Sequence, residues 1–115
     1  MPPKDDLVYL GHMLDMAQKI AARTAGLTRE AFDGNEDLRL ALAHLIQVIG
    51  EAARCVSEDG RKRCPAIPWR ELTGIRNKIV HDYMSVSFDV VWAVVTEDVP
   101  PLKRELERVV PADEE

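Results

Sequence analysis

The strongest constraint on this chain is the segment from about Asn35 to Ser57, which reads as one long helix with too much apolar surface for a single buried face. Leu38, Leu42, Leu45, Ile49, Ala52 and Val56 recur along one stripe, and Leu40, Ala41, Ile46, Val48 and Ala53 spread apolar character over the others. Such a helix has two stable placements. It lies at the centre of its domain, or it packs on the core with one side and on another protomer with the other. The chain has 115 residues, enough for one hydrophobic core and too few for two, so a single domain spanning residues 1–115 is expected.

The flanking segments supply the surrounding helices. Leu7, Leu10, Leu14, Ala17 and Ala21 mark a first helix from about Asp5 to Ala25, with Gly26 as its stop. Thr28 to Phe32 suits a short helical turn, and Asp33, Gly34 and Asn35 break the chain before the long helix. Residues Glu58 to Ile67 read as a loop, with Gly60 and Pro65 as breakers. Pro68 then opens a third helix, where its missing N–H costs nothing, and Leu72, Ile75 and Ile79 form the buried stripe. Ser85 or Ser87 caps a fourth helix from about Phe88, with Val91, Val95 and Leu102 for the core and Trp92 on an adjacent face. The pair Pro100 and Pro101 should kink or split this last helix. The expected fold is all-α, an up-and-down bundle of four main helices with the last one kinked at the Pro pair.

Composition narrows the function classes. No apolar run approaches the roughly eighteen residues that span a bilayer, and the first residues lack a signal-peptide core, so a cytoplasmic protein without a membrane partner is expected. Cys55 and Cys64 stand alone, without the paired spacing or nearby His of a metal site, and are expected to be reduced thiols with no catalytic role. The net charge of −5 looks unfavourable for binding nucleic acid, but its distribution is uneven. Arg61, Lys62, Arg63, Arg70, Arg76 and Lys78 face only Glu71 between positions 61 and 78, a local +5 that leaves −10 on the rest of the chain. Arg61, Lys62 and Arg63 fit a solvated loop as well as an RNA contact.

The end of that basic stretch carries the chemistry. Arg76, Asn77, Lys78, Ile79, Val80, His81, Asp82 and Tyr83 combine a permanent planar cation, an imidazole that titrates near neutrality and a phenol in eight residues. These are groups that handle phosphate, although an Arg and a His also occur together as surface or capping residues. In an uninterrupted helix Tyr83 returns nearly to the azimuth of Arg76, whereas His81 lies about 140° away from it. Either the helix ends near His81 or the working site combines residues of two chains. His12 and His44 have no such pattern around them and read as surface or satisfied core residues.

Nearly the whole chain resembles the HEPN superfamily, in particular its HepT-like branch, the toxin half of type VII HepT/MNT toxin–antitoxin modules. The resemblance rests on Ile49-Gly50-Glu51-Ala52-Ala53, on Pro65 with Ile67-Pro68-Trp69, on Gly74-Ile75-Arg76-Asn77-Lys78-Ile79-Val80-His81-Asp82-Tyr83, and on Val91-Trp92 before the Pro-containing helix. Arg76, followed by the polar Asn77 and separated by four residues from His81, matches the superfamily signature. Tyr83 matches the additional tyrosine of the branch.

The resemblance implies an endoribonuclease that needs neither metal nor cofactor, because the nucleophile is the 2′-hydroxyl of the RNA substrate. His81 would move protons to or from the 2′- and 5′-oxygens, and Arg76 would stabilise charge on the phosphate, making these two the expected catalytic residues. Asn77 and Lys78 are expected to bind or support the substrate. Two proton transfers suit two histidines, and the family pairs its motifs across a homodimer, which implies the second placement of the long helix, against another protomer. Tyr83 is the expected acceptor of AMP from a partner nucleotidyltransferase of the MNT type, the antitoxin. Glu51 is expected in a salt bridge with an Arg near the site rather than in catalysis. A second reading from another class is a noncatalytic helical subunit that binds a nucleotidyltransferase or a nucleotide, and a third is a plain structural bundle.

Overall fold

The computed structural model describes residues 3–82 and 85–111, the side chains of His81 and Asp82 excepted. Four helical layers form the domain. Helix α1 (Lys4–Thr24) packs along α3 (Glu36–Cys55), and between them runs the short α2 (Arg29–Asp33). The small α4 (Glu58–Arg63) follows, then the third layer, α5 (Trp69–Thr73) and α6 (Ile75–Ile79). Strands β1 (Val80–Asp82) and β2 (Ser85–Val86) make a minimal antiparallel hairpin, and the fourth layer is α7 (Phe88–Ala93), a π turn (Val94–Asp98) and α8 (Val99–Val109). The all-α bundle of four main helices is thus the observed architecture, with the hairpin as an addition.

Local chemistry sets the boundaries. The left-handed Gly26 (φ 70°) terminates α1. Thr28, Asn35, Ser57 and Ser87 each accept a backbone N–H at the start of α2, α3, α4 and α7. Of the two serines expected to cap the last layer, Ser87 does so, accepting from Val90 N at 3.4 Å.

Within one chain, helix α3 is the central element. It buries Leu42, Ile46, Ile49 and Ala53 together with Ala43, Gly50 and Ala52, so two of its faces are covered within one chain, while Leu40 stays 50% exposed. On α1 the fully buried residues are Leu10, Met13, Ala17 and Ile20, a stripe rotated from the expected one, with Leu7 and Leu14 half-buried at its edge. Both stripes are apolar in the sequence, and packing against α3 and α8 selects between them.

The Pro pair is accommodated by the π turn. Pro100 and Pro101 have no N–H to give to the carbonyls four residues earlier. The ladder widens just before them, with Val99 N donating to Val94 O, and the backbone stays helical on both sides.

The expected loop after α3 is instead helical over Glu58–Arg63. A buried carboxylate explains its position: Asp6, 3% exposed, accepts from Ser57 N at 2.8 Å and from Ser57 Oγ at 2.5 Å. Ser57 Oγ in turn accepts from Gly60 N, so one side chain of α1 fixes the cap of α4. Asp6→Ala leaves the Ser57 amide without its charged acceptor. It is expected to cost about 1–3 kcal/mol, read as a lower urea midpoint with unchanged slope. An unchanged midpoint would show the carboxylate to be dispensable.

Candidate active site

The motif sits on a segment docked against α3 at close range. Gly50 is buried where α5 and α6 cross it, and a Cβ built there would lie 2.8 Å from Leu72 O and from Ile75 Cγ2. One turn later Arg54 donates from Nε and an Nη to Thr73 O at 3.2 and 3.0 Å, satisfying a carbonyl at the end of α5. Leu72, Ile75 and Ile79 turn inward as the sequence suggested. Neither the contact at Gly50 nor the role of Arg54 was anticipated, although their spacing of four residues puts both on one face of α3.

Helix α6 carries Arg76, Asn77 and Lys78, and all three are exposed. Among the described residues the Arg76 guanidinium has no hydrogen-bond or ion-pair partner, so its donors point to solvent. The helix stops at Ile79, and of the two arrangements left open by the sequence the first is observed: the helix ends before His81. The 140° separation of an uninterrupted helix therefore does not apply. The cause is the hairpin. Val80 pairs with Val86, and Ser87 N donates to Ile79 O at 2.7 Å, drawing the chain out of the helix. His81 lies in β1, its side chain outside the described atoms, and Tyr83 lies outside the described residues.

Two electrostatic expectations change. Glu51 is exposed on α3 and forms no ion pair among the described residues, and Arg54, on the same helix, instead donates to the Thr73 carbonyl. The basic stretch is also less uniform than its composition. Arg61 is half-buried, donates to Ala53 O at 3.2 Å and lies 5.8 Å from the Trp69 ring, so it holds α4 against the end of α3. Arg63 pairs with Asp59 on the same helix. The exposed cations of this stretch are then Lys62, Arg63, Arg70, Arg76 and Lys78, of which Arg63 pairs with Asp59.

Cys64 is buried, and burial first, then the nearby Glu105, pushes its thiol pKa up, against nucleophilic use. Cys55 is exposed and neither is disulfide-bonded. Among the described residues no group of three or more His, Cys, Asp or Glu could hold a metal ion. Among the described residues no helix is long and apolar enough to cross a membrane.

Comparison with known proteins bears on this geometry. The family model "Ribonuclease HepT-like" matches residues 13–109. A Methanocaldococcus jannaschii protein named "Putative RNase MJ1380" is 33% identical over 109 residues, covering 95% of this chain and all of the relative. A Thermococcus cleftensis protein named "Probable ribonuclease HepT" is 32% identical over 101 residues, covering 88% of this chain and 92% of the relative. A Caldanaerobacter subterraneus relative, "Putative RNase TTE0752", is 26% identical across 89% of the chain and 91% of its own length. No solved structure gives a significant match.

Proposed function

Because this chain belongs to the HepT-like ribonuclease family, we propose that it is a metal-independent endoribonuclease acting through Arg76 and His81. The observation that carries the reading is the exposed Arg76 guanidinium, without a partner among the described residues, on a helix that ends two residues before His81. An arginine so placed can close on a phosphate from solvent without first breaking an ion pair described in the fold.

The substrate supplies the nucleophile. Its 2′-hydroxyl loses a proton to His81 and attacks the adjacent phosphorus, the bond to the 5′-oxygen breaks, and that oxygen leaves with a proton. Arg76 meets the charge that grows on the equatorial oxygens, where a planar two-donor fork outperforms a point charge. Asn77 and Lys78 flank Arg76 and supply further donors to the RNA backbone. The products are a 2′,3′-cyclic phosphate and a 5′-hydroxyl. One imidazole cannot serve both oxygens at once, so a homodimer presents the second His81. Leu40, half exposed on the central helix, is apolar surface that one chain leaves uncovered.

As one half of a toxin–antitoxin pair, the protein is silenced by an MNT-type nucleotidyltransferase that transfers AMP to Tyr83. A bulky anion there competes with RNA phosphate for Arg76. The test is incubation of the purified protein, shown by mass spectrometry to lack AMP, with total RNA and with DNA in EDTA. RNA ending in 2′,3′-cyclic phosphate and intact DNA are expected. No cleavage across several RNA inputs would replace this reading with that of a noncatalytic subunit binding a nucleotidyltransferase.

A further inference from the structure

Beside the motif helix, on the side of Lys78, lies a cavity of about 320 Å³ enclosed by α5, α6, the π turn and α8. Leu72, Ile75, Val94 and Leu102 line it. A smaller void of about 30 Å³ shares these four residues and reaches Ile46 and Ile49 of α3. Interiors of this kind are normally filled to crystal-like density, so the space is a concavity into the core rather than a surface ripple. Three charged side chains, Glu71, Lys78 and Asp98, stand at the same cavity, each exposed and without an ion-pair or hydrogen-bond partner among the described residues. Asp98 closes the π turn, so the widening forced by Pro100 and Pro101 places this carboxylate.

An apolar hollow with a few unpaired polar groups at its edge suits a ligand with flat apolar faces and a polar rim. We infer that this cavity is a nucleobase subsite for a nucleotide further along the strand from the cleaved phosphate, an assignment that rests on the ribonuclease reading. Arg76, Asn77 and Lys78 step around α6 by about 100° each, from the expected phosphate position to the cavity. An RNA strand crossing the helix over Asn77 brings a base further along the strand onto the hollow beside Lys78. Phosphate itself is excluded from the interior by Glu71 and Asp98.

The rim also ranks the bases. A carboxylate accepts two adjacent donors from guanine, N1–H and the 2-amino group, while guanine O6 and N7 are acceptors for a lysine. Cytosine and adenine offer one amino group. Uracil offers a single N–H between two carbonyl oxygens, which a carboxylate repels. Guanine is therefore preferred and uracil disfavoured.

The test uses binding, so it does not depend on turnover. GMP and UMP are titrated into the full chain while the methyl resonances of Leu72, Ile75, Val94 and Leu102 are followed by NMR. GMP is expected to shift these methyls and to bind roughly tenfold more tightly than UMP, the discrimination of one good bidentate pair. The Glu71→Gln, Asp98→Asn double variant changes only exposed groups and should erase the preference. Ala66→Trp, at an exposed position lining the cavity, should abolish the shifts. Shifts absent with both nucleotides, or equal for both, would overturn the subsite while RNA cleavage in EDTA still stood. Selective shifts in a protein that cleaves nothing would instead keep the pocket and remove the ribonuclease reading. Methyl shifts produced by apolar peptides and not by GMP would reassign the hollow to a protein partner.

Discussion

Arg76→Ala is expected to lower RNA cleavage about 10²- to 10³-fold while leaving the unfolding midpoint unchanged. The two halves of that expectation come from one observation: the guanidinium is exposed and has no partner among the described residues, so no interaction described in the fold is lost with it. Surface substitutions of this kind stay within about ±0.5 kcal/mol. Arg76→Lys keeps the charge but loses the fork, and should fall between wild type and Ala in kcat. His81→Ala removes proton transfer and should cost about 10²- to 10⁴-fold. With His81 intact, kcat/KM should follow a bell-shaped pH profile, the form expected of one imidazole acting as base and another as acid. The profile should flatten in His81→Ala. Equal cleavage by wild type and both Ala variants would mean that the activity comes from elsewhere or from a contaminant.

The helices were legible because they obey simple rules. Apolar residues recur at helical spacing, and Gly26, Asn35, Pro68 and Ser87 punctuate them, so four main helices could be read from the sequence. Helix α4 could not, since Glu58-Asp59-Gly60-Arg61-Lys62-Arg63 has no apolar face. It is held by a cap on Ser57 that depends on Asp6, 51 positions earlier, and by Arg61 reaching the end of α3. The exit of the motif from its helix was equally hidden. Ile79 and Val80 continue the apolar spacing, and only pairing with Val86 and the bond from Ser87 N to Ile79 O make the chain leave the helix. The proposed site residues are legible as a motif, Arg76 through Tyr83, because their chemistry is local. What positions them is not, because it sits on α3.

That positioning gives the sharpest stability contrast in the molecule, two Gly→Ala changes inside helices with opposite expected signs. At Gly11 in α1 an added Cβ meets nothing within 4 Å, so the gain in helix propensity, up to about 1 kcal/mol, should appear as a higher urea midpoint. At Gly50 in α3 the same methyl would lie 2.8 Å from Leu72 O, a backbone atom that no rotamer change can move. The propensity gain is then outweighed by overpacking of about 1–3 kcal/mol, and the midpoint should fall. The relief available is a shift of α5 and α6 away from α3, and this stretches the bonds from Arg54 to Thr73 O. Arg76 begins one residue beyond Ile75, the other group in the contact, so the displacement reaches the motif directly. Since a misplacement of about 1 Å can cost on the order of 10²-fold in rate, cleavage by Gly50→Ala should drop well below the folded fraction measured at the same temperature. Should Gly50→Ala prove as stable and as active as Gly11→Ala, the motif segment does not dock on α3 at this distance, and the account of how Arg76 is positioned fails with it.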